Sequence, residues 1–458
     1  MTSFPSDSAA PHPQMSMRDH IARTLRLAFP VMLARAGILI MIAVDTAMVG
    51  HYAADDLAHY GLGLAPQVVM IMTGVGLLLG TMVLTAQADG AGNAQACGGI
   101  WRLGLVKGAI YGVIIIFVCQ AGGRFYAVLG QSADLAVGGG EVMAMLGWGI
   151  PALFMHAATN FFLEGIHRPV PGMVVMLGAN LINLLLNWIF IFGHFGGPEL
   201  GAEGAALATT IVRWLMFLVL AIYVLCMKDH ARFGLRGPIA EKAILAIRLL
   251  RIGAPLAVIH GIEASAFATL TVLAGFLGTI PLGGFQVAMN LVAIVFMCAL
   301  GFSTAASVRV GNAVGRRDPS GAQRAGWTAT GLGVLVMAVF GAVFLLFANE
   351  LAAIYTDDPL VRRVAAPTIV VASLVLIVDG AQGVLIGALR GAADTMVPAF
   401  AYLLSLWGLL VPLAYHMAVD QGGGAPALMV ALSIALTVLA ALLIARFTQI
   451  MKHLPAPA

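Results

Sequence analysis

Residues 25–50 read LRLAFPVMLARAGILIMIAVDTAMVG. Two arginines and one aspartate interrupt a run otherwise apolar enough to cross a bilayer, since one spanning helix uses about 20 apolar residues. The opening of this run returns later in the chain: LRLAFP at 25–30 is matched by LRIGAP at 250–255. TAQADGAGN at 85–93 aligns with RVGNAVGRR at 309–317, and LEGIHRPVP at 163–171 parallels LRGAADTMVP at 389–398, at nearly the same offset. Working outward, apolar stretches of helical length recur at 25–49, 62–86, 104–127, 140–163, 172–193, 203–226, 251–277, 284–308, 326–348, 364–389, 396–417 and 425–446. Twelve spans in two repeats of six predict an all-α polytopic membrane protein. An even number of spans per repeat gives two parallel lobes facing each other across a central cleft, an architecture suited to alternating access.

Composition agrees. Of 458 residues, 60% are hydrophobic and 10% charged, against about 25% charged in a soluble domain. Lipid offers the backbone no hydrogen-bond partners, so such a chain is expected to fold as membrane-crossing helices. The 54 glycines suit close helix approach in a bilayer. A net charge of +3 leaves no basic footprint for nucleic acid. Cys97, Cys119, Cys226 and Cys298 show no CxxC spacing, which argues against a zinc site or a disulfide framework. No GxxxxGK[ST] motif is present to cradle ATP phosphates, and no HExxH to hold a catalytic metal. An enzyme is therefore not expected, and transport is expected to draw on an ion gradient, with no cofactor beyond Na+ or H+ as the coupling ion.

The basic residues set the orientation. With the N-terminus inside, inner segments hold nineteen Lys and Arg and outer loops only Arg124, Arg362 and Arg363; Arg35 and Arg213 fall within spans without an evident partner. Positive charge gathers on the cytoplasmic side, so both termini are expected there, in a multi-pass protein of the plasma (inner) membrane. The expected divisions are a disordered polar tail at 1–22, an N-lobe at 23–226, a basic cytoplasmic inter-lobe loop at 227–249, a C-lobe at 250–448 and a tail at 449–458. A monomer surrounded by membrane lipids is expected.

Three carboxylates, Asp45, Glu263 and Asp379, stand inside apolar stretches, where a charge costs roughly 2.5–3.5 kcal/mol by insertion scales. Such residues face a bundle interior or a cavity. Asp45 falls in the outer half of the bilayer by helical rise. Asn183 and Asn187, four apart on one face of span 5, and Thr209, early on span 6, lie at similar depth. One carboxylate, two amides and a hydroxyl suit either a small hard cation bound through oxygen or a proton-regulated hydrogen-bond network. In the second lobe, His260 is one turn from Glu263 on the same face, and Gln382 stands likewise to Asp379. Acidic charge within the spans points to small cationic or amphipathic cargo.

The motifs VDTAMVG (44–50), GTMVLTAQADGAGN (80–93), NLLLNWIFIFG (183–193), GAALATT (204–210), GIEASAF (261–267), ALGFSTAASVRVGNAVGRR (299–317) and DGAQGVLIGALRGAADT (379–395), in this order and spacing, resemble the MATE (multidrug and toxic compound extrusion) transporters, most of all their NorM-like branch, over roughly 20–448. The resemblance implies antiport of cationic drugs or metabolites against Na+ or H+. It implies that Asp45 is the first-span aspartate of cation coupling with Asn183, Asn187 and Thr209 on its network, and that Glu263 and Asp379 are the second-lobe acidic pair. Val375 stands where some relatives carry a hydroxylated aromatic ligand and Asn187 where some carry a carboxylate, so sodium and proton both stay open. A lipid-linked-precursor flippase or a dedicated metabolite exporter of the same superfamily is the alternative; a flippase of that kind is expected to carry a cationic cavity.

Overall fold

The computed structural model describes residues 16–239 and 241–453, and helices account for nearly all of them. Eleven helices are long and apolar enough to cross a membrane, or twelve counting one bent pair as a single span. In chain order, spans 1 to 6 are Met17–Tyr52, Ala54–Gly90, Ala94–Gln120, the bent pair Ala133–Gly147 and Ile150–Gly165, Val170–Phe192 and Gly201–Leu225. Spans 7 to 12 are Lys242–Phe276, Thr279–Gly315, Pro319–Leu346, Pro359–Gly391, Met396–Asp420 and Gly424–His453.

Several helices outrun their apolar cores because polar residues cap them. Ser16 and Asp19 form a capping box at the start of span 1, with Asp19 N–H donating to Ser16 Oγ at 3.2 Å and Ser16 N–H to Asp19 Oδ2 at 3.3 Å. The helix therefore begins inside the segment expected to be a disordered tail; Pro5, Pro11 and Pro13 lie outside the described residues. Likewise span 7 starts at Lys242, so the last turns of the expected inter-lobe loop are helical. Two short helices, Gly122–Val128 and Ala348–Tyr355, follow the third span of each half, an additional element of the repeat.

The fourth span bends by 41° around Trp148–Gly149. Gly147, Gly149 and Pro151 cluster there, and proline cannot donate back to the preceding turn. Met145 O and Leu146 O keep only the tighter three-residue bonds from Trp148 N–H at 3.3 Å and Gly149 N–H at 3.1 Å, and side chains of span 6 add to them. Thr210 Oγ1 donates to Met145 O at 2.9 Å, Arg213 to Leu146 O at 3.2 Å, and Trp214 Nε1 to Trp148 O at 3.1 Å. The buried Arg213 thus has a partner that its apolar sequence context hides.

The halves meet most closely through spans 1, 2, 7 and 8 near the chain termini. Gly253 of span 7 lies so near span 2 that a methyl group there would stand 2.0 Å from Leu77 O. Hydrogen bonds between the halves lie at the same end. Arg309 of span 8 donates to His20 O at 3.0 Å and to Thr24 Oγ1 in span 1. Gln87 donates to Gly391 O at 2.9 Å, and Asn312 to Asp89 Oδ2 at 3.3 Å. The repeat-related segments 85–93 and 309–317 therefore close on each other.

Candidate functional site

Asp45 sits 1% exposed near the far end of span 1. Its Oδ1 accepts from Asn187 Nδ2 at 2.6 Å, and its Oδ2 accepts from Thr209 Oγ1 at 2.8 Å and Tyr60 OH at 3.0 Å. The donors come from spans 5, 6 and 2, so one carboxylate ties four helices together. Asn187 also donates to Asn183 Oδ1 at 3.3 Å, the one-turn spacing expected of two amides on one face. Asn187 Oδ1 and Asn183 Nδ2 are buried without partners. A buried polar atom left unpaired costs about 1–3 kcal/mol, so these two mark polar capacity that the resting network does not use. No salt bridge to Asp45 is found among the described residues.

In the second half, Gln382 donates to Asp379 Oδ1 at 2.7 Å, and Tyr402 OH of span 11 donates to Gln382 Oε1. All three are buried. His260 Nδ1 lies 3.6 Å from Glu263 Oε2, and both side chains are partly exposed. His260 faces the first half, because a methyl group on Gly76 of span 2 would stand 2.8 Å from its ring. Val375 is buried one turn before Asp379, and the aromatic hydroxyl near this pair comes from Tyr402 instead.

The sequence-predicted residues thus form two sets, and no hydrogen bond or ion pair joins them among the described residues. Tyr60 and Tyr402 escape sequence reasoning: the apolar run of span 2 begins only at 62, and a tyrosine in an apolar stretch carries no charge to single it out. Glu164 escapes it as well, being one residue from a helix end, yet it is 1% exposed. It accepts from Asn160 Nδ2 at 2.9 Å on one oxygen, and the other is unpartnered. The repeat holds the signal for it, since LEG at 163–165 pairs Glu164 with Arg390 in LRG at 389–391. Arg390 is buried and donates to Ser307 Oγ at 3.3 Å. Arg35 finds a partner beside the same group, its guanidinium carbon 5.7 Å from the centre of the Phe161 ring. Arg309 and Arg390, grouped by sequence with the loop cations, are instead buried seam residues because their helices extend past the apolar runs.

The chain matches the MatE family model over residues 30–189 and 255–416. It is 33% identical over 456 residues to the Caulobacter vibrioides protein named "Probable multidrug resistance protein NorM", covering 98% of this chain and 97% of that one. A Mesorhizobium japonicum protein of the same name is 32% identical over 451 residues, covering 97% of each. Among solved structures, the outward-facing conformation of a multidrug resistance MATE family transporter of the MOP superfamily superposes with a TM-score of 0.87 at 19% identity, covering 95% of this chain and 96% of that one.

Proposed function

The chain belongs to the MatE family of membrane transporters, and on that premise we propose that it is a multidrug efflux antiporter, exporting small cationic or amphipathic molecules in exchange for a cation. One observation carries the reading: Asp45 is fully buried, forms no salt bridge among the described residues, and is held by donors from three other spans. A ligand at that carboxylate competes with the hydrogen bonds that fasten spans 2, 5 and 6 to span 1. Ion binding and helix packing are thereby linked, as alternating access requires. In the other half the partly exposed Glu263, beside His260, and the buried Asp379, held by Gln382, supply negative charge for a cationic cargo or a second coupling event.

Sodium suits the first set better than a proton alone. Sodium is a hard cation that prefers oxygen ligands. Asp45, Asn183, Asn187 and Thr209 offer four oxygen-bearing side chains, and the buried Asn187 Oδ1 is an acceptor that no protein donor occupies. A proton would need only the carboxylate and would leave that oxygen idle. The supporting orientation has both termini cytoplasmic in the inner membrane, with the protein working as a monomer.

The test is uptake of a fluorescent cation into inverted vesicles with sodium and proton gradients imposed separately. A sodium gradient without a pH difference should drive uptake. Uptake driven fully by a pH gradient in sodium-free vesicles, with no further stimulation by sodium, would leave the exchange standing and remove sodium from it. Uptake driven by neither would end the antiport reading.

A further inference from the structure

A groove of about 520 Å³ runs between spans 7 and 11 on the side of the chain termini. Ala254, Val258 and Ile262 line one wall, Ala399 and Leu403 the other, and Arg251 is the single charged residue in its lining. From these features we infer that the groove binds an anionic phospholipid of the terminus-side leaflet, one acyl chain lying between the spans and the phosphate resting on Arg251.

The repeat explains why the groove exists. Spans 7 and 11 touch along much of their length, as their counterparts, spans 1 and 5, do, and Trp407 Nε1 donates to Ser265 Oγ at 3.2 Å just beyond the groove, which is thus confined to their terminus-side stretch. At the matching position the first half closes through Gly37, where a methyl group would stand 2.6 Å from Met176 Cγ. Carrying the LRLAFP–LRIGAP offset along the helix puts Ile262 at the position of Gly37, and carrying the proline offset of 171 and 398 puts Leu403 at that of Met176. A branched side chain thus replaces the glycine, and both replacements line the gap. Span 11 also differs by π-helical winding over Leu403–Leu410, which begins at the edge of the groove, a winding frequent at functional sites. Span 5 has none.

An open apolar groove on a membrane-facing surface is filled by something apolar, and the charge around its mouth selects the headgroup. Arg251 and Arg248, one turn apart, and Lys242 at the start of span 7 are all exposed. None forms a salt bridge among the described residues. The nearest carboxylate before span 11, Asp394, is held by Arg446 at 2.8 Å. A basic pocket between spans on this side matches the chemistry of anionic headgroups.

Native mass spectrometry of the full-length transporter, titrated with phosphatidylglycerol and phosphatidylcholine of identical chains, tests the site. Wild-type protein should retain phosphatidylglycerol several-fold over phosphatidylcholine. Arg251→Gln should lower that preference about fivefold, the worth of one cation near an anionic surface. Ala254→Phe, which fills the groove, should expel both lipids while the thermal midpoint holds; Ala399→Phe on the opposite wall serves if the first variant unfolds. Equal retention of the two lipids by the wild type would overturn the inference. So would undiminished phosphatidylglycerol in both variants, as would displacement of the lipid by tetraphenylphosphonium, which would make the groove a cargo site.

Discussion

At the scale of single residues, the first-half set is organised around one buried carboxylate and the donors aimed at it. Asp45→Asn keeps the shape and removes the charge, so it is expected to abolish gradient-driven efflux while membrane abundance stays near wild type, because an uncharged isostere costs less in a bilayer. Efflux at the wild-type rate in vesicles bearing that variant would rule out Asp45 as the coupling group. Asn187→Ala separates the ions. It deletes the unpartnered oxygen together with the 2.6 Å donor to Asp45. Under sodium coupling the concentration of sodium that half-saturates efflux should rise by about tenfold or more, because the loss of an oxygen ligand to the cation outweighs the release of a hydrogen bond that competes with it. A sodium requirement that stays put while the pH profile moves would argue for the proton. Asp45 was legible in the sequence because a carboxylate within an apolar run is conspicuous. Asn183 and Asn187 were legible from their four-residue spacing. Tyr60 was not, since its hydroxyl matters only once span 2 folds against span 1, and pairing across helices leaves no local pattern. Glu164 shows the same blindness, as its burial depends on what the neighbouring helix ends do.

At the scale of elements, apolar length located the spans, and capping and glycine decided their ends and their contacts. Ser16 lengthens span 1 beyond its apolar core, and the Gly147–Pro151 region breaks span 4 where hydropathy runs on. A hydropathy reading cannot see a bend whose carbonyls are supported by side chains of another helix. Span 7 offers a direct comparison of two glycines on one element. Gly253 faces Leu77 O at a separation that no side chain fits, whereas a methyl group on Gly261 would have nothing within 4 Å. Gly253→Val should therefore force spans 2 and 7 apart, with a cost of about 1–3 kcal/mol as in overpacked cores, read as a lowered thermal midpoint of the purified protein. Gly261→Val should leave the midpoint within error. Equal effects would mean that intrinsic helix propensity, and not the contact between the halves, governs both positions.

At the scale of the whole molecule, the repeat predicted two halves of six spans, and the structure adds where they hold each other. The bonds of Arg309 with His20 and Thr24, of Gln87 with Gly391 and of Asn312 with Asp89 all lie at the terminus end. Ser307 is fully buried beside this seam, its hydroxyl accepting at 3.3 Å from Arg390, the neighbour of the Gly391 that receives the bond from Gln87. If exchange proceeds by alternating access, the seam has to open once per cycle, because cargo cannot enter past these helix contacts. A cysteine at that position reports the opening. In a background without the four native cysteines, of which Cys226 is exposed, Ser307→Cys should react slowly with a membrane-impermeant maleimide at rest. In inverted vesicles, where the terminus side faces the reagent, a driving ion gradient with cargo present should raise the rate several-fold. In right-side-out vesicles under the same conditions it should not react, which tests the orientation in the same experiment. The rise should vanish when Asp45→Asn is added, since the ion site and the seam would then be uncoupled. A rate indifferent to gradient and cargo would mean that the seam is a static contact, and cargo would have to pass by a route other than the interface between the halves.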